Sequence, residues 1–129
     1  MKFMLLCYDD EQFWQEAGDA ALKAAMQEAI ALTHELDKKG QYILAAPLES
    51  VSTATSVRVR DGKRLVTDGP FAETREVLGG FYLIDVKDRD EAIAIAARHS
   101  GVRVGTVEVR PIIELEGLPA ATKKSGISG

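Results

Sequence analysis

The sequence is poor in the residues that metal sites and covalent catalysis use. It has one cysteine and two histidines among 129 residues. The single cysteine, Cys7, excludes an internal disulfide, and its place in an apolar run is typical of a small buried side chain. The histidines lie in different predicted helices without His-x-His or His-x-x-x-His spacing, and no glycine-rich phosphate loop opens a helix. We therefore predict no metal ion and no cofactor.

Basic charge and long apolar runs are also scarce. The net charge is −4, and the one basic concentration, Arg58 to Arg64, is interrupted by Asp61. Nucleic-acid binding needs clustered lysine and arginine, so no nucleic-acid partner is expected. The apolar run Phe3 to Tyr8 is too short to span a membrane. With 46% hydrophobic and 28% charged residues, the chain is predicted to be an ordinary soluble domain with a cytoplasmic location.

What the sequence does contain is an alternation of strand and helix patterns. Apolar residues at three- and four-residue steps from Leu22 to Leu36 predict one long helix over 19–39. Asp88 and Glu91 form a capping box that opens a second helix. The strand patterns, which are either continuous apolar runs or alternating ones, lie at residues 3–8, 41–48, 80–86 and 106–110.

A hairpin is predicted over 51–67, around the turn dipeptide Asp61-Gly62. We favour a three-residue loop because it places Val57 and Leu65 on one face of the hairpin and the arginines on the other. A two-residue loop mixes the two sets of side chains. The order of elements is then β–α–β, the inserted hairpin, and a second β–α–β.

Two such halves closing on one antiparallel sheet predict a ferredoxin-like α+β domain, βαββαβ with an inserted β-hairpin. Its helices cover only one face of the sheet, and the apolar first strand indicates that the other face is covered too. A second copy of the chain is the simplest cover, so we predict a homodimer. The domain is expected to span residues 1–116, followed by a flexible C-terminal tail over 117–129.

Residues 68–76 have an order of residue types that packing does not explain. An Asp-Gly-Pro turn opens the segment, and Phe71 is followed by a polar cluster of Glu73, Thr74, Arg75 and Glu76. Because these polar groups exceed what a turn needs, we predict that the segment lines the principal cleft. Asp68 or Glu73 is then directed into the cleft, and Phe71 packs beneath. The alternative is that the segment seals a dimer interface.

At residues 68–76, and again over 78–82 (Leu-Gly-Gly-Phe-Tyr), the chain resembles the YCII-related proteins, in particular the branch called DGPF-domain proteins. The first strand and the ending Glu-Val-Arg-Pro over 108–111 share the resemblance. It implies a ferredoxin-like subunit that forms a dimeric α+β barrel, with a cleft near the subunit interface. It also implies a catalytic histidine and aspartate, which by place in the chain are His34 and Asp68.

Further side chains are candidates for binding a small-molecule ligand: Glu73, Arg75, Tyr82, Tyr8 and Arg58. Arg75 stands where the family motif has lysine, a change that keeps the cation. Core packing is the favoured explanation of the two tyrosines, and a solvated hairpin face is the favoured explanation of Arg58. His34 suits either a general base or a packing residue at the edge of an apolar stripe. His99 is expected to cap the end of the second helix.

Two functions from different classes stay open. The first is a small enzyme that acts on a small organic molecule by general acid–base chemistry, with Asp68 and His34 as proton carriers and Arg75 as an anion anchor. The second is a non-catalytic small-molecule-binding or regulatory module that uses the same cleft. The spacing of residues shows no complete set of nucleophile, base and orienting group, so the sequence alone does not separate the two.

Overall fold

The computed structural model describes residues 1–120, which form a four-stranded sheet, a separate hairpin and three helices. In chain order the elements are β1 (Lys2–Asp9), α1 (Glu11–Ala17), α2 (Asp19–Lys38), β2 (Tyr42–Pro47), β3 (Thr55–Arg60), β4 (Lys63–Asp68), β5 (Val77–Asp85), α3 (Arg89–Ala96) and β6 (Thr106–Pro111). Short 3-10 turns lie at Val51–Thr53 and Ser100–Arg103. Of the predicted tail, residues 117–120 belong to no helix or strand, and residues 121–129 lie outside the described part of the chain.

The four-stranded sheet has the order β2-β5-β1-β6, and every neighbouring pair is antiparallel. With the β3–β4 hairpin set aside, this is the order that two interlocked βαβ halves produce. The predicted ferredoxin-like α+β fold is therefore confirmed. Among residues 1–120, no helix has both the length and the apolar character needed to cross a bilayer.

The hydrophobic core lies between the sheet and the helices. Alternate residues of the two central strands point into it, with Phe3 and Leu5 from β1 and Ile84 from β5 almost fully buried. Leu32 and Leu36 of α2 pack into the core from the helix side. Burial of these side chains, worth about 1.5–3 kcal/mol each, holds the second half of α2 against the sheet.

Local capping explains where the shorter helices begin. The Asp10 side chain accepts a hydrogen bond of 3.0 Å from the backbone N–H of Gln12 and so caps α1. Asp88 caps α3 by accepting from the Glu91 N–H at 2.9 Å, while the Glu91 carboxylate accepts from the Lys87 N–H at 2.8 Å. The reciprocal arrangement predicted for the second helix is thus present, with Glu91 reaching one residue further back.

The predicted three-residue hairpin loop is wrong. Arg60 pairs with Lys63, so Asp61 and Gly62 alone form the turn, and both have positive φ (52° and 73°). That is the backbone of a type I′ turn, which Asp-Gly favours and which matches the twist of the strands. The hairpin side chains are mostly exposed on both faces, so burial does not select the register and the apolar and basic side chains need not segregate.

The other face of the sheet is apolar and only partly buried in one chain. We call it the outer face; at its centre lie Met4 and Leu6 of β1, Leu83 of β5 and Leu44 of β2. Leu83 pairs with both Met4 and Leu44 across the ladders, so these side chains form one continuous patch. The helices lie on the opposite side of the sheet and leave this patch uncovered.

Candidate functional site

A cleft of about 960 Å³ separates the first half of α2 from the sheet. One wall is the stripe of α2 that carries Leu22, Met26 and Ile30, and the other wall is formed by residues of β2 and β5. Met26 and Ile30 are 44% and 55% exposed. Leu36 belongs to the same apolar stripe of α2 and is buried in the core. Nearer the start of the helix, this stripe therefore forms the wall of an open cleft.

The polar groups of the cleft gather at one end, which we call the Asp9 end, where Asp9, Trp14 and His99 meet. Asp9 is the last residue of β1, and Trp14 is on α1, just after the chain turns back. The Trp14 Nε1–H donates a hydrogen bond of 2.7 Å to Asp9 Oδ2. Among the described residues, no group donates a hydrogen bond to Asp9 Oδ1, so this oxygen is available to a ligand.

Burial raises the pKa of the Asp9 carboxyl above its ordinary value, and the Trp14 hydrogen bond opposes part of that shift. A carboxylate with a raised pKa and one free oxygen is a better proton acceptor than a solvated one. The Asp9 end therefore has a candidate base.

His99 opens the 3-10 turn beside Asp9. Its Nδ1 accepts a hydrogen bond of 2.9 Å from the backbone N–H of Gly101, so the proton of the neutral ring lies on Nε2. The ring packs edge-on against Tyr82, with centroids 5.3 Å apart. Burial lowers the pKa of His99, and the nearby Asp9 carboxylate offsets part of that effect. At neutral pH the His99 ring is thus neutral, because its pKa is lowered. It acts as a hydrogen-bond donor, because its acceptor nitrogen is already occupied.

Two other ionisable groups in the cleft are held in their neutral forms. Burial, with a smaller contribution from Asp9, raises the pKa of Cys7 to about 12, so its thiol is not a nucleophile at neutral pH. Burial also raises the pKa of Tyr82, whose hydroxyl donates a hydrogen bond of 3.3 Å to the Ala29 carbonyl oxygen. Within residues 1–120, no cluster of three or more histidine, cysteine or acidic side chains is placed to hold a metal ion.

Comparison with known proteins identifies the family of this domain. Residues 1–116 match the YCII-related domain. The chain belongs to the YCII-related family. It is also similar to an uncharacterised protein of Rhizobium meliloti (strain 1021), with 36% identity over 117 residues that cover 87% of this chain and 92% of the relative.

Two site residues predicted from the sequence line the cleft of this YCII-related domain. Tyr82 lies at the Asp9 end, against His99. His34 lies on α2 twelve residues beyond Leu22, which is about 18 Å along the helix axis. His34 therefore lies further toward the C-terminal end of α2, and it is not part of the group of Asp9, Trp14 and His99 that forms the Asp9 end.

The other predicted residues do not line the cleft. Asp68 and Arg58 are exposed on the hairpin, and Glu73 is exposed in the segment after it. Tyr8 alternates with cleft-lining neighbours on β1 and so faces the outer side of the sheet. Arg75 is directed to the α1 cap, with its Nε 3.6 Å from an oxygen of Asp10. The structure does not bring His34 and Asp68 together in this cleft.

The prediction that residues 68–76 line the principal cleft is wrong. None of them lines it, and Phe71 is 78% exposed rather than packed beneath the segment. The cause is that β4 pairs only with β3 among the described residues, so the chain leaves the hairpin away from the main sheet and rejoins it at Val77. A catalytic role for Asp68 and a ligand-binding role for Glu73 stay predictions.

Sequence reasoning missed Asp9 and His99 as site residues. In the sequence Asp9 only follows the first predicted strand, and His99 is expected to cap the second helix. The prediction that His99 caps the end of the second helix is wrong: α3 ends at Ala96, and His99 instead caps the start of the following 3-10 turn. The available signal was that each residue lies close to the end of an element that enters the core.

The lowered pKa of His99 predicts how stability depends on pH. Its contribution is fully present above the ordinary pKa of 6.5 and is lost as the pH falls through 6.5 toward the folded value, because the unfolded chain takes up the proton more readily. His99→Asn keeps a side-chain acceptor for the Gly101 N–H. We expect its free energy of unfolding to fall less than that of the wild type between about pH 7.5 and pH 5, as measured by urea unfolding. An equal or steeper fall for His99→Asn contradicts a lowered pKa of His99 in the folded protein.

Proposed function

We propose that this YCII-related protein binds a small organic molecule in the α2–sheet cleft and carries out proton transfer on it at the Asp9 end. The observation that supports the proposal is the half-buried Asp9 carboxylate, which lines the cleft with one oxygen engaged by Trp14 and with no donor to the other among the described residues. In this scheme Asp9 accepts a proton from the bound molecule. His99 donates a hydrogen bond from Nε2 to the charge that develops as the proton leaves.

A neutral imidazole suits the second role. A donor that keeps its proton stabilises a developing negative charge without competing with Asp9 for the proton that is transferred. Tyr82 packs against the ring and fixes its orientation. His99 is thus a stabilising donor in the proposal, and Asp9 is the base.

A non-catalytic binding module is the second candidate, and one observation favours it. The hydrogen bond from the Gly101 N–H occupies Nδ1 of His99, so the ring cannot take up and return a proton without rearranging. The Asp9 end then has one proton acceptor, Asp9, and no second side chain that could return the proton to the bound molecule. A cleft of this volume still holds a metabolite.

The two candidates are separated by a ligand screen followed by isotope exchange. A metabolite library is screened by thermal shift on the wild type and Asp9→Asn, since a ligand at a hundred times its dissociation constant stabilises the folded state by about 2.7 kcal/mol. Each hit is then incubated with the protein in D₂O and followed by proton NMR. Conversion, or loss of a carbon-bound proton that depends on Asp9, supports proton transfer. A bound but unchanged hit supports the binding module, and the absence of any hit contradicts both.

We also propose that the chain belongs to the DGPF branch of the family and assembles as a homodimer through the outer face. The motif over residues 68–76 supports the branch. The apolar patch of Met4, Leu6, Leu44 and Leu83 supports the dimer, because a sheet face of this kind is rarely left in water. The two outer faces pack against each other in this arrangement, which leaves both clefts on the outside of the paired sheets.

Placing a charge in the patch is expected to separate the subunits. Leu83→Arg puts a guanidinium at the centre of the outer face, where pairing two copies would bury two like charges. Light scattering after size exclusion at micromolar concentration should give twice the mass of one chain for the wild type and a single-chain mass for Leu83→Arg. Ile93→Arg, on the exposed side of α3, is the control and should remain dimeric. A monomeric wild type rules out the assembly.

A further inference from the structure

The charges that line the cleft are almost all of one sign. Four carboxylates lie on its walls, and among residues 1–120 no lysine or arginine does; the carboxylates are Asp9, Glu11, Asp19 and Asp37. The two histidines that line it are His34 and His99, and burial keeps His99 neutral at pH 7. A ligand anion would therefore meet repulsion from every charged group of the cleft wall.

Two arginines in the described part of the chain are already paired outside the cleft. Arg103 approaches both carboxylate oxygens of Glu28 at 3.2 Å, and Arg75 pairs with Asp10 at the α1 cap. The anion anchor that the sequence suggested for Arg75 is thus directed to another partner. A ligand carboxylate or phosphate has no counter-ion within the cleft.

Asp9 is the carboxylate best placed to hold a charged ligand. Glu11 is engaged by the Ser50 hydroxyl at 2.8 Å and the Val51 N–H at 2.9 Å, and Asp19 and Asp37 are exposed on α2. Asp9 alone among the four is half-buried within the cleft and keeps an oxygen free. A cation beside it would offset the burial of its negative charge.

The walls around Asp9 are suited to the rest of such a ligand. The ring of Trp14 lies at the Asp9 end, Tyr82 lines it from β5, and both provide faces that attract a cation. Further along, the α2 wall is aliphatic, with Leu22, Met26 and Ala29. These side chains suit a compact apolar body, with its charged group toward Asp9.

We propose that the cleft selects organic cations, namely a protonated amine on a compact apolar body, with the ammonium group against the free oxygen of Asp9. This inference rests on the proposed function, which supplies the cleft as the binding site, and adds the chemical class of the ligand. An ammonium N–H donates to one lone pair of Oδ1 and leaves the other lone pair to accept the transferred proton, while Trp14 continues to hold Oδ2.

The test uses three probes with one apolar body and different charge: adamantan-1-ylmethylamine, adamantan-1-ylmethanol and adamantane-1-carboxylate. Trp14 is the one tryptophan in the sequence, so its fluorescence reports binding at the Asp9 end, and calorimetry confirms the affinities. At about pH 7.5 we expect the amine to bind at least about tenfold more tightly than the alcohol, which corresponds to about 1.4 kcal/mol, and the carboxylate to bind most weakly.

Asp9→Asn removes the charge but keeps the shape and an oxygen for the Trp14 N–H. It should reduce the preference for the amine over the alcohol to less than about threefold, which corresponds to about 0.65 kcal/mol, while leaving the affinity for the alcohol unchanged. Asp61→Asn is the matched control: it removes the same charge from the exposed hairpin turn, where asparagine tolerates the positive φ of 52°, and should keep the full preference.

The outcomes separate this inference from the one it rests on. If the alcohol binds as tightly as the amine, if the carboxylate binds best, or if Asp9→Asn keeps the preference, the ligand class is wrong and the cleft remains a binding site. If none of the three probes binds to the wild type, the cleft is not the binding site and the proposed function fails with it.

Discussion

Replacing Gly105 with alanine is expected to destabilise the protein by about 3 kcal/mol or more. A Cβ on this residue would lie far inside van der Waals contact with the Tyr8 carbonyl oxygen and 3.0 Å from the Cα of Asp9. These are backbone atoms, and Tyr8 pairs with Thr106 at the end of the β1–β6 ladder. The clash is therefore relieved only by pulling β6 away from β1, which also displaces Asp9.

Gly79→Ala is the matched control, because its Cβ would approach a side-chain atom of the same residue. The Cβ lies 3.2 Å from Asp9 Oδ1, and a carboxylate can rotate where a strand cannot. We expect a loss below about 1 kcal/mol, typical of a substitution that the surroundings accommodate. Urea unfolding measures both variants. A Gly105→Ala protein within about 1 kcal/mol of the wild type would show that β6 does not approach Asp9 as described.

Ala29→Phe is expected to weaken amine binding at least about tenfold, or about 1.4 kcal/mol, without unfolding the protein. Ala29 lies on the cleft stripe of α2, and only its carbonyl oxygen is used, by the Tyr82 hydroxyl. A phenyl ring there occupies the space between helix and sheet that the apolar body of the ligand needs. The added apolar surface is buried against the cleft wall, so stability is expected to stay the same or rise.

Ala31→Phe is the control for this change. It lies two residues further along α2, is exposed and does not line the cleft, so it adds the same ring to the same helix without filling the site. Its affinity for adamantan-1-ylmethylamine, read from Trp14 fluorescence, should equal that of the wild type. Equal affinities of the Ala29 and Ala31 variants would contradict binding in the α2–sheet cleft.

The sequence predicted the fold well because ferredoxin-like topology follows from the order and periodicity of its elements. It did not predict the cleft, and α2 shows why. Leu22, Met26, Ile30 and Leu36 belong to one apolar stripe, yet only Leu36 among them is buried in the core. Hydrophobic period identifies the side of a helix that faces the sheet. It does not reveal the distance between the helix and the sheet.

The Asp9 end was beyond prediction for a different reason. Asp9 and His99 are ninety positions apart, and antiparallel pairing of β1 and β6 brings the 3-10 turn before β6 next to the end of β1. Each residue alone has an ordinary local explanation as a strand end or a cap. The unusual composition of the segment over 68–76 led to the opposite error, because it suggested a functional site. In the structure Arg75 pairs with Asp10 at the α1 cap, and Thr74 donates a hydrogen bond to the Glu76 carbonyl oxygen.

The most direct test of the account is backbone amide shift mapping of the full chain during titration with adamantan-1-ylmethylamine. We predict that the largest ¹H–¹⁵N shifts fall on the amides of the Asp9 end and the neighbouring β5 residues, namely Asp9, Trp14, Gly79, Gly80 and Gly101, and that Asp9→Asn reduces these shifts at an amine concentration near the dissociation constant of the wild type. Shifts concentrated on the hairpin and on residues 68–76, with the Asp9 end unchanged, would contradict the account and return the site to the segment that the sequence first indicated.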